Sequence, residues 1–310
     1  MLVKSLFECI GNTPLVKLNT FSCIQRNINV FGKIEYLNPG LSIKDRAALR
    51  LIKDAEDKNF IKKGDTIVES TSGNMGHSLA MICAIKGYKL ICLVDPKTPE
   101  VNIKIYKAYG AEVILVKEKD SDGGYQKIRI EKAKELSNRK GFYNLNQYSN
   151  PSCIDVNYDT TGNEIFSALG GKIDILIASV STGGHLSGIS RYLKDKCVTK
   201  PLVVGVEPVG SVIFGGLPKP YEQNGTGLSF VPENYISDLV DINFKCSDIN
   251  AFSTCKNVAI NEGLLLGGSS GSVLWAVSKM VKNDVKNCNV VCILPDGGIK
   301  YIDTIYSGSD

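Results

Sequence analysis

Lys44 stands in "NPGLSIKDRAALRLI", residues 38–52, between a glycine-containing bend and the start of a helical pattern. A lysine placed there can carry an aldehyde covalently and act as a base once released. Two further stretches supply complementary chemistry. "STSGNMGHSLA", residues 70–80, gathers the hydroxyls of Ser70, Thr71 and Ser72 and the amide of Asn74 around Gly73, just ahead of a helical run. First-turn N–H groups and the positive end of a helix dipole favour an anion, so a carboxylate suits this loop; a polar capping loop is the plainer use of the same residues. "STGGHLSG", residues 181–188, again follows an apolar strand and opens a helix. Ser181, Thr182, Gly183 and Gly184 offer hydroxyls and unobstructed backbone, which suits a phosphate.

The second loop matches neither G-x-G-x-x-G nor G-x-x-x-x-G-K-[ST], so the dinucleotide and nucleoside-triphosphate fingerprints are both missing. "GGSSGSVLWAV" (267–277) and "LPDGGIKY" (294–301) repeat the pattern of small residues at an element boundary. A lysine for an aldehyde, a hydroxyl-rich anion loop and a phosphate loop together specify one cofactor, pyridoxal 5′-phosphate (PLP).

These loops need strands and helices to hold them. "NVFGKIEYL", "DTIVES", "KLICLVD", "EVILVK", "IDILIAS", "PLVVGVEP" and "NVVCILPD" have strand length and β-branched content between turn residues. Segments 43–59, 74–87, 99–110, 123–141, 185–196 and 269–284 carry apolar residues at helical spacing. The alternation predicts an α/β protein with two doubly wound lobes of mostly parallel sheet. Turn chemistry divides the chain into a smaller domain, 40–145, and a larger one made of 1–39 and 146–310. The first carries the carboxylate loop, the second the phosphate loop.

A chain of 310 residues has room for two such cores. Its formal charge of +4 comes from 36 basic and 32 acidic residues without long like-charge runs, which argues against nucleic-acid or membrane-surface partners and for a small molecule. No window approaches a membrane span and the N-terminus lacks a signal-peptide pattern, so a cytoplasmic protein is expected. The ten cysteines form no C-x-x-C pair and read as reduced, buried thiols; no metal is expected.

"GNTPLV" (11–16), "NPGLSIKDR" (38–46), "STSGN" (70–74), "STGGH" (181–185), "SSG" (269–271) and "PDGG" (295–298) resemble, in order and spacing, the cysteine synthase superfamily. These are PLP enzymes of fold type II, similar to the tryptophan synthase β chain. The resemblance implies a homodimer acting on small amino-acid substrates. It makes Lys44 the cofactor-bearing lysine and the base at the substrate Cα. It gives Asn74 to the cofactor's phenolic oxygen, the run Ser181, Thr182, Gly183, Gly184 and His185 to its phosphate, and Ser269 to its ring nitrogen. A neutral serine there favours loss of a β-leaving group to α-aminoacrylate, to which a nucleophile adds. Thr71, Ser72, Asn74, Met75 and Gln147 would line the substrate-carboxylate site, an ordinary loop amide being the plainer reading of Gln147.

Departures from the family pattern shift the pocket. Met75 stands where threonine is usual, Ser181 where glycine is, and Tyr148 where phenylalanine is common. His77 and His185, the only histidines, read as specificity variation or packing. "GGYQKIRIEKAKEL" (123–136) and "GSVIFG" (210–215) look like the 2,3-diaminopropionate branch, which serves siderophore biosynthesis. Its members join O-phospho-L-serine to L-glutamate, giving N-(2-amino-2-carboxyethyl)-L-glutamate and phosphate. On that likeness Arg129, Tyr148 and Ser181 meet the second substrate, Arg129 clamping glutamate's extra carboxylate. An exposed helix cation is the plainer reading of Arg129. The alternative activity is cysteine synthase or cysteine lyase, forming or releasing hydrogen sulfide.

Overall fold

The computed structural model describes residues 2–121, 123–281 and 285–307. It divides into two compact units, Met1–Ile43 with Cys153–Asp310, and Lys44–Ser152. The chain opens with β1 (Leu15–Lys17) and β2 (Ile28–Ile34). The second unit then runs α1 (Lys44–Asp57), β3 (Thr66–Ser70), α2 (Asn74–Lys86), β4 (Lys89–Val94), α3 (Glu100–Ala108), β5 (Glu112–Leu115), α4 (Gln126–Leu136) and β6 (Phe142–Tyr143). There follow α5 (Ser152–Val156), α6 (Asn163–Leu169), β7 (Ile175–Ser179), α7 (Gly184–Lys196), β8 (Leu202–Pro208), β9 (Ile242–Cys246), α8 (Asp248–Glu262), α9 (Gly268–Met280) and β10 (Cys288–Leu294).

Each unit is built on one sheet. In the first the order is β1-β2-β10-β7-β8-β9, and in the second β5-β4-β3-β6. Every named pair is parallel except β1 with β2. Helices covering both faces explain why the central strands read as unbroken apolar runs: β3 and β7 are buried along their whole length. Val30, Ile177, Val204, Val206, Val290 and Leu294 are fully buried in the larger core. Burial of each such side chain stabilises the fold by about 1.5–3 kcal/mol.

The chain winds outward from β7 to β8 and β9, while β10 lies on the other side of β7. It also winds from β3 to β4 and β5, with β6 on the other side of β3. Each sheet therefore has a topological switch point, and the loops leaving its two strands part to open a crevice. In the second unit these are the loops after β3 and β6; in the first, those after β7 and β10.

Some boundaries differ from the sequence reading. The strand expected through Leu37 stops at Ile34 and continues as a 3-10 turn, Glu35–Leu37. The left-handed residue in the bend before Lys44 is Leu41 (φ 64), not Gly40. The final residues of the helix expected over 269–284 lie outside the described residues from 282 onward. Cys9 is exposed and Cys23 half-exposed, whereas the other eight cysteines are buried free thiols.

Candidate active site

In the unit Lys44–Ser152 the loop leaving β3 carries Thr71, Ser72 and Asn74, and the loop leaving β6 carries Gln147 and Tyr148. The fold brings them together. Gln147 Nε2 donates to Glu69 Oε1 at 3.2 Å and to the Ser70 carbonyl at 3.3 Å, and the Tyr148 hydroxyl donates to that carbonyl at 3.4 Å. Within the first loop Thr71 Oγ1 accepts the Gly76 N–H at 3.1 Å and the Gly73 N–H at 3.4 Å. Asn74 and Met75 are buried at the start of α2.

Lys44 is the first residue of α1 and is half-buried. Its helix is tied to the start of α2 by one hydroxyl: Ser78 Oγ donates to Asp45 Oδ1 at 2.5 Å and lies 3.1 Å from the Asn74 carbonyl. Asp45 and Ser78, neither singled out by the sequence, thus join the first turn of α1, which carries Lys44, to the start of α2, which opens at Asn74. The lysine's acidic neighbour in the sequence was the available signal.

Arg129 is 2% exposed and ion-paired with Asp95, Nε to Oδ2 at 3.2 Å. This corrects its reading as an exposed helix cation: α4 turns Arg129 and Ala133, one turn apart, inward. The guanidinium sits in a buried polar patch with Glu69 and Tyr148. Burial pushes the Glu69 carboxyl up to about 8, against the opposing hydrogen bond from Gln147 and the charge of Arg129. Burial likewise pushes the Tyr148 phenol up to about 12, with Arg129 pulling it down. Glu69 Oε2, Ser70 Oγ and Arg129 Nη1 are buried without a hydrogen-bond partner among the described residues.

Glu69 makes stability depend on pH. Its proton is held in the folded state up to about 8 and lost in the unfolded chain near the ordinary 4.5. Between those values the folded state binds more protons, so stability falls as pH rises. Glu69→Gln keeps an acceptor for Gln147 and should flatten that fall; denaturant midpoints measured between pH 5 and about 8 check this. Parallel slopes for the two proteins would show that Glu69 is ionised in the fold.

In the other unit the run Ser181–His185 leaves β7. Val180 is anchored before it, its N–H on the Val206 carbonyl and its own carbonyl accepting from Thr226 Oγ1 at 2.9 Å. Gly183 adopts φ 86, and α7 begins at Gly184 with His185 in its first turn. His77 is likewise in the first turn of α2, so both histidines belong to helix starts. A Cβ on Gly183 would lie 2.4 Å from the Tyr235 backbone nitrogen. Ser269 is buried in the first turn of α9. Its helix start is fixed at the end of β10, where the Gly267 N–H reaches the Asp296 carbonyl and the Gly298 N–H the Leu265 carbonyl.

These residues fit a phosphorylated aldehyde. The run from Ser181 to His185 holds two hydroxyls, two glycines pressed against backbone and no carboxylate, and it runs into a helix start that attracts anions. Ser269, in the same unit, supplies a neutral hydroxyl; the other unit, taken by itself, supplies the amine of Lys44.

Comparison with known proteins agrees. The chain is 40% identical over 307 residues, 99% of its length and 90% of the relative's, to an N-(2-amino-2-carboxyethyl)-L-glutamate synthase of Ralstonia nicotianae. A hydrogen sulfide-producing enzyme from Fusobacterium nucleatum superposes with a TM-score of 0.89 at 37% identity, covering 97% of this chain and 100% of that one. An O-ureido-L-serine synthase superposes with a TM-score of 0.92 at 30% identity, covering 100% and 97%. Residues 6–296 match the pyridoxal-phosphate dependent enzyme family. The chain therefore belongs to the pyridoxal-phosphate dependent enzymes, within the cysteine synthase superfamily.

Proposed function

We propose that this enzyme replaces the phosphate of O-phospho-L-serine with the amine of L-glutamate, giving N-(2-amino-2-carboxyethyl)-L-glutamate. The observation that carries the reading is the 40% identity, across 99% of the chain, to the Ralstonia synthase of that product. The buried Arg129 supports it, since a guanidinium nitrogen without a hydrogen-bond partner among the described residues is a donor for the extra carboxylate that glutamate brings.

Bound PLP supplies an electron sink for the substrate Cα. The residues of this chain do the rest. Thr71, Ser72, Asn74 and Gln147 bind the α-carboxylate and orient the donor amino acid, with Met75 alongside. The hydroxyls and helix start at Ser181–His185 hold the cofactor's phosphate, Asn74 its phenolic oxygen and Ser269 its ring nitrogen. Lys44 Nζ takes the Cα proton and returns it to the same carbon of the product. The Cβ–O bond to phosphate breaks, the Cβ–N bond to glutamate forms, and the amine's surplus proton leaves with phosphate or solvent. Arg129, Tyr148 and Ser181 position the incoming glutamate. The same reading carries a cytoplasmic homodimer that supplies siderophore biosynthesis.

A second reading, sulfide formation or release, is favoured by the likeness to the hydrogen sulfide-producing enzyme at 37% identity. Initial rates with O-phosphoserine, O-acetylserine or cysteine as donor, each with glutamate or sulfide, separate the two. Glutamate-dependent phosphate release from O-phosphoserine is the expected result; sulfide-dependent turnover alone, or sulfide release from cysteine, would overturn it. Arg129→Lys keeps a cation beside Asp95 and loses the planar fork. It should raise the KM for glutamate about 10-fold or more and leave that for O-phosphoserine near wild type. Equal loss for both substrates would mean that Arg129 does not distinguish them.

A further inference from the structure

Asn102 and Tyr106 lie one turn apart on α3 and are both buried, although one is polar and the other ends in a hydroxyl. Their polar ends meet the backbone of the carboxylate loop. Asn102 Nδ2 donates to the Ser72 carbonyl at 2.8 Å, and the Tyr106 hydroxyl donates to the Gly73 carbonyl at 2.8 Å. His77 completes the group. Its Nε2 is 3.0 Å from Asn102 Oδ1, and its ring meets that of Tyr106 edge-on with centroids 5.3 Å apart. Gly76 makes room for the tyrosine, since a Cβ there would lie 2.5 Å from the ring.

The roles of these atoms follow from what each can do. A backbone carbonyl only accepts, so the Asn102 amide turns its NH2 to Ser72 and its oxygen to the imidazole, and His77 Nε2 carries the proton between them. The carbonyl of Ser72 and the N–H of Gly73 share one rigid peptide plane, as do the carbonyl of Gly73 and the N–H of Asn74. Holding the two carbonyls therefore aims the two N–H groups, in a segment where Gly73 has no side chain to hold it.

We propose that Asn102, oriented by His77, is a positioning residue: it sets the peptide whose Gly73 N–H holds the Thr71 hydroxyl, and Tyr106 seconds it by setting the peptide whose Asn74 N–H is aimed at the substrate carboxylate. The inference rests on the reading of Thr71–Asn74 as the carboxylate loop, and the test separates the two. The donor amino acid is whichever of O-phosphoserine, O-acetylserine and cysteine the wild-type holoenzyme turns over fastest, and Thr71→Ala reports on the loop itself. Asn102→Ala and His77→Leu should raise the donor KM about tenfold, as expected for one lost hydrogen bond, with the bound-cofactor absorbance and the nucleophile KM unchanged. His77→Gln places an amide N–H where Nε2 was and should restore a near-wild-type KM. Asn102→Asp replaces the donor to Ser72 with an acceptor without opening a cavity, and should show the raised KM even where Asn102→Ala fails to fold. An unchanged KM in Asn102→Asp and His77→Leu with a raised one in Thr71→Ala overturns the positioning role and leaves the loop reading intact. An unchanged KM in Thr71→Ala as well overturns both, and equal losses in His77→Gln and His77→Leu overturn the hydrogen-bonded relay.

Discussion

Lys44→Ala should leave at most about one-thousandth of the wild-type turnover, because in the role proposed for it Lys44 is both the base at the substrate Cα and the covalent anchor of the cofactor. The visible absorbance that distinguishes lysine-bound cofactor from free should vanish from the same preparation. Folding should be spared. Lys44 is half-buried at the first position of α1, whose core face is formed by Ala47, Ala48, Leu51 and Ile52, and alanine suits a helix start. A melting temperature within a few degrees of wild type would show that the loss is chemical. Turnover near the wild-type rate would mean that another group carries the cofactor and moves the proton.

Gly183→Ala should strike the run Ser181–His185, proposed to hold the cofactor's phosphate, through its backbone. Gly183 sits at φ 86, and an added Cβ would meet Tyr235 N at 2.4 Å and Asn234 C at 2.5 Å. The segment it would have to push aside is pinned to α7, Ser187 Oγ donating to the Asn234 carbonyl at 2.8 Å and accepting the Ile236 N–H at 3.0 Å. The left-handed conformation alone costs a side chain about 1–2 kcal/mol, and displacement of anchored backbone adds to it, so a loss of about 3 kcal/mol is expected. Thermal melts and cofactor content should fall together. Wild-type values for both would show that the loop has room that the fold denies.

The elements that carry the site were readable because buried parallel strands leave continuous apolar runs, and because small and hydroxylated residues recur where strand meets helix. β3 with its Ser70–Asn74 exit and β7 with its Ser181–His185 exit lie where the pattern put them. The switch points were not readable, since strand order depends on which distant runs pair. β6 has only two residues and β9 alternates in burial, so neither forms an apolar run. α8 buries Ala251, Cys255 and Val258 while Ile249 and Ile260 face solvent, which blurs its helical stripe.

The polar interior of the second unit was hidden for a related reason. In "KIRIEKAKEL" the isoleucines mark the face that a hydrophobic pattern would bury, yet the fold buries Arg129 more deeply than Ile128 or Ile130, because Asp95 waits at the end of β4. Asn102 is masked in the same way by the isoleucines and tyrosine around it. A polar residue gains its place from a partner far away in sequence, and nothing local announces that partner.

The identity of the product decides whether glutamate is the nucleophile of this enzyme. Purified holoenzyme given O-phosphoserine and 15N-labelled glutamate, with products read by mass spectrometry, should yield one labelled N-(2-amino-2-carboxyethyl)-L-glutamate for each phosphate released. Unlabelled products with glutamate recovered intact, or a product formed only when sulfide is supplied, would contradict it.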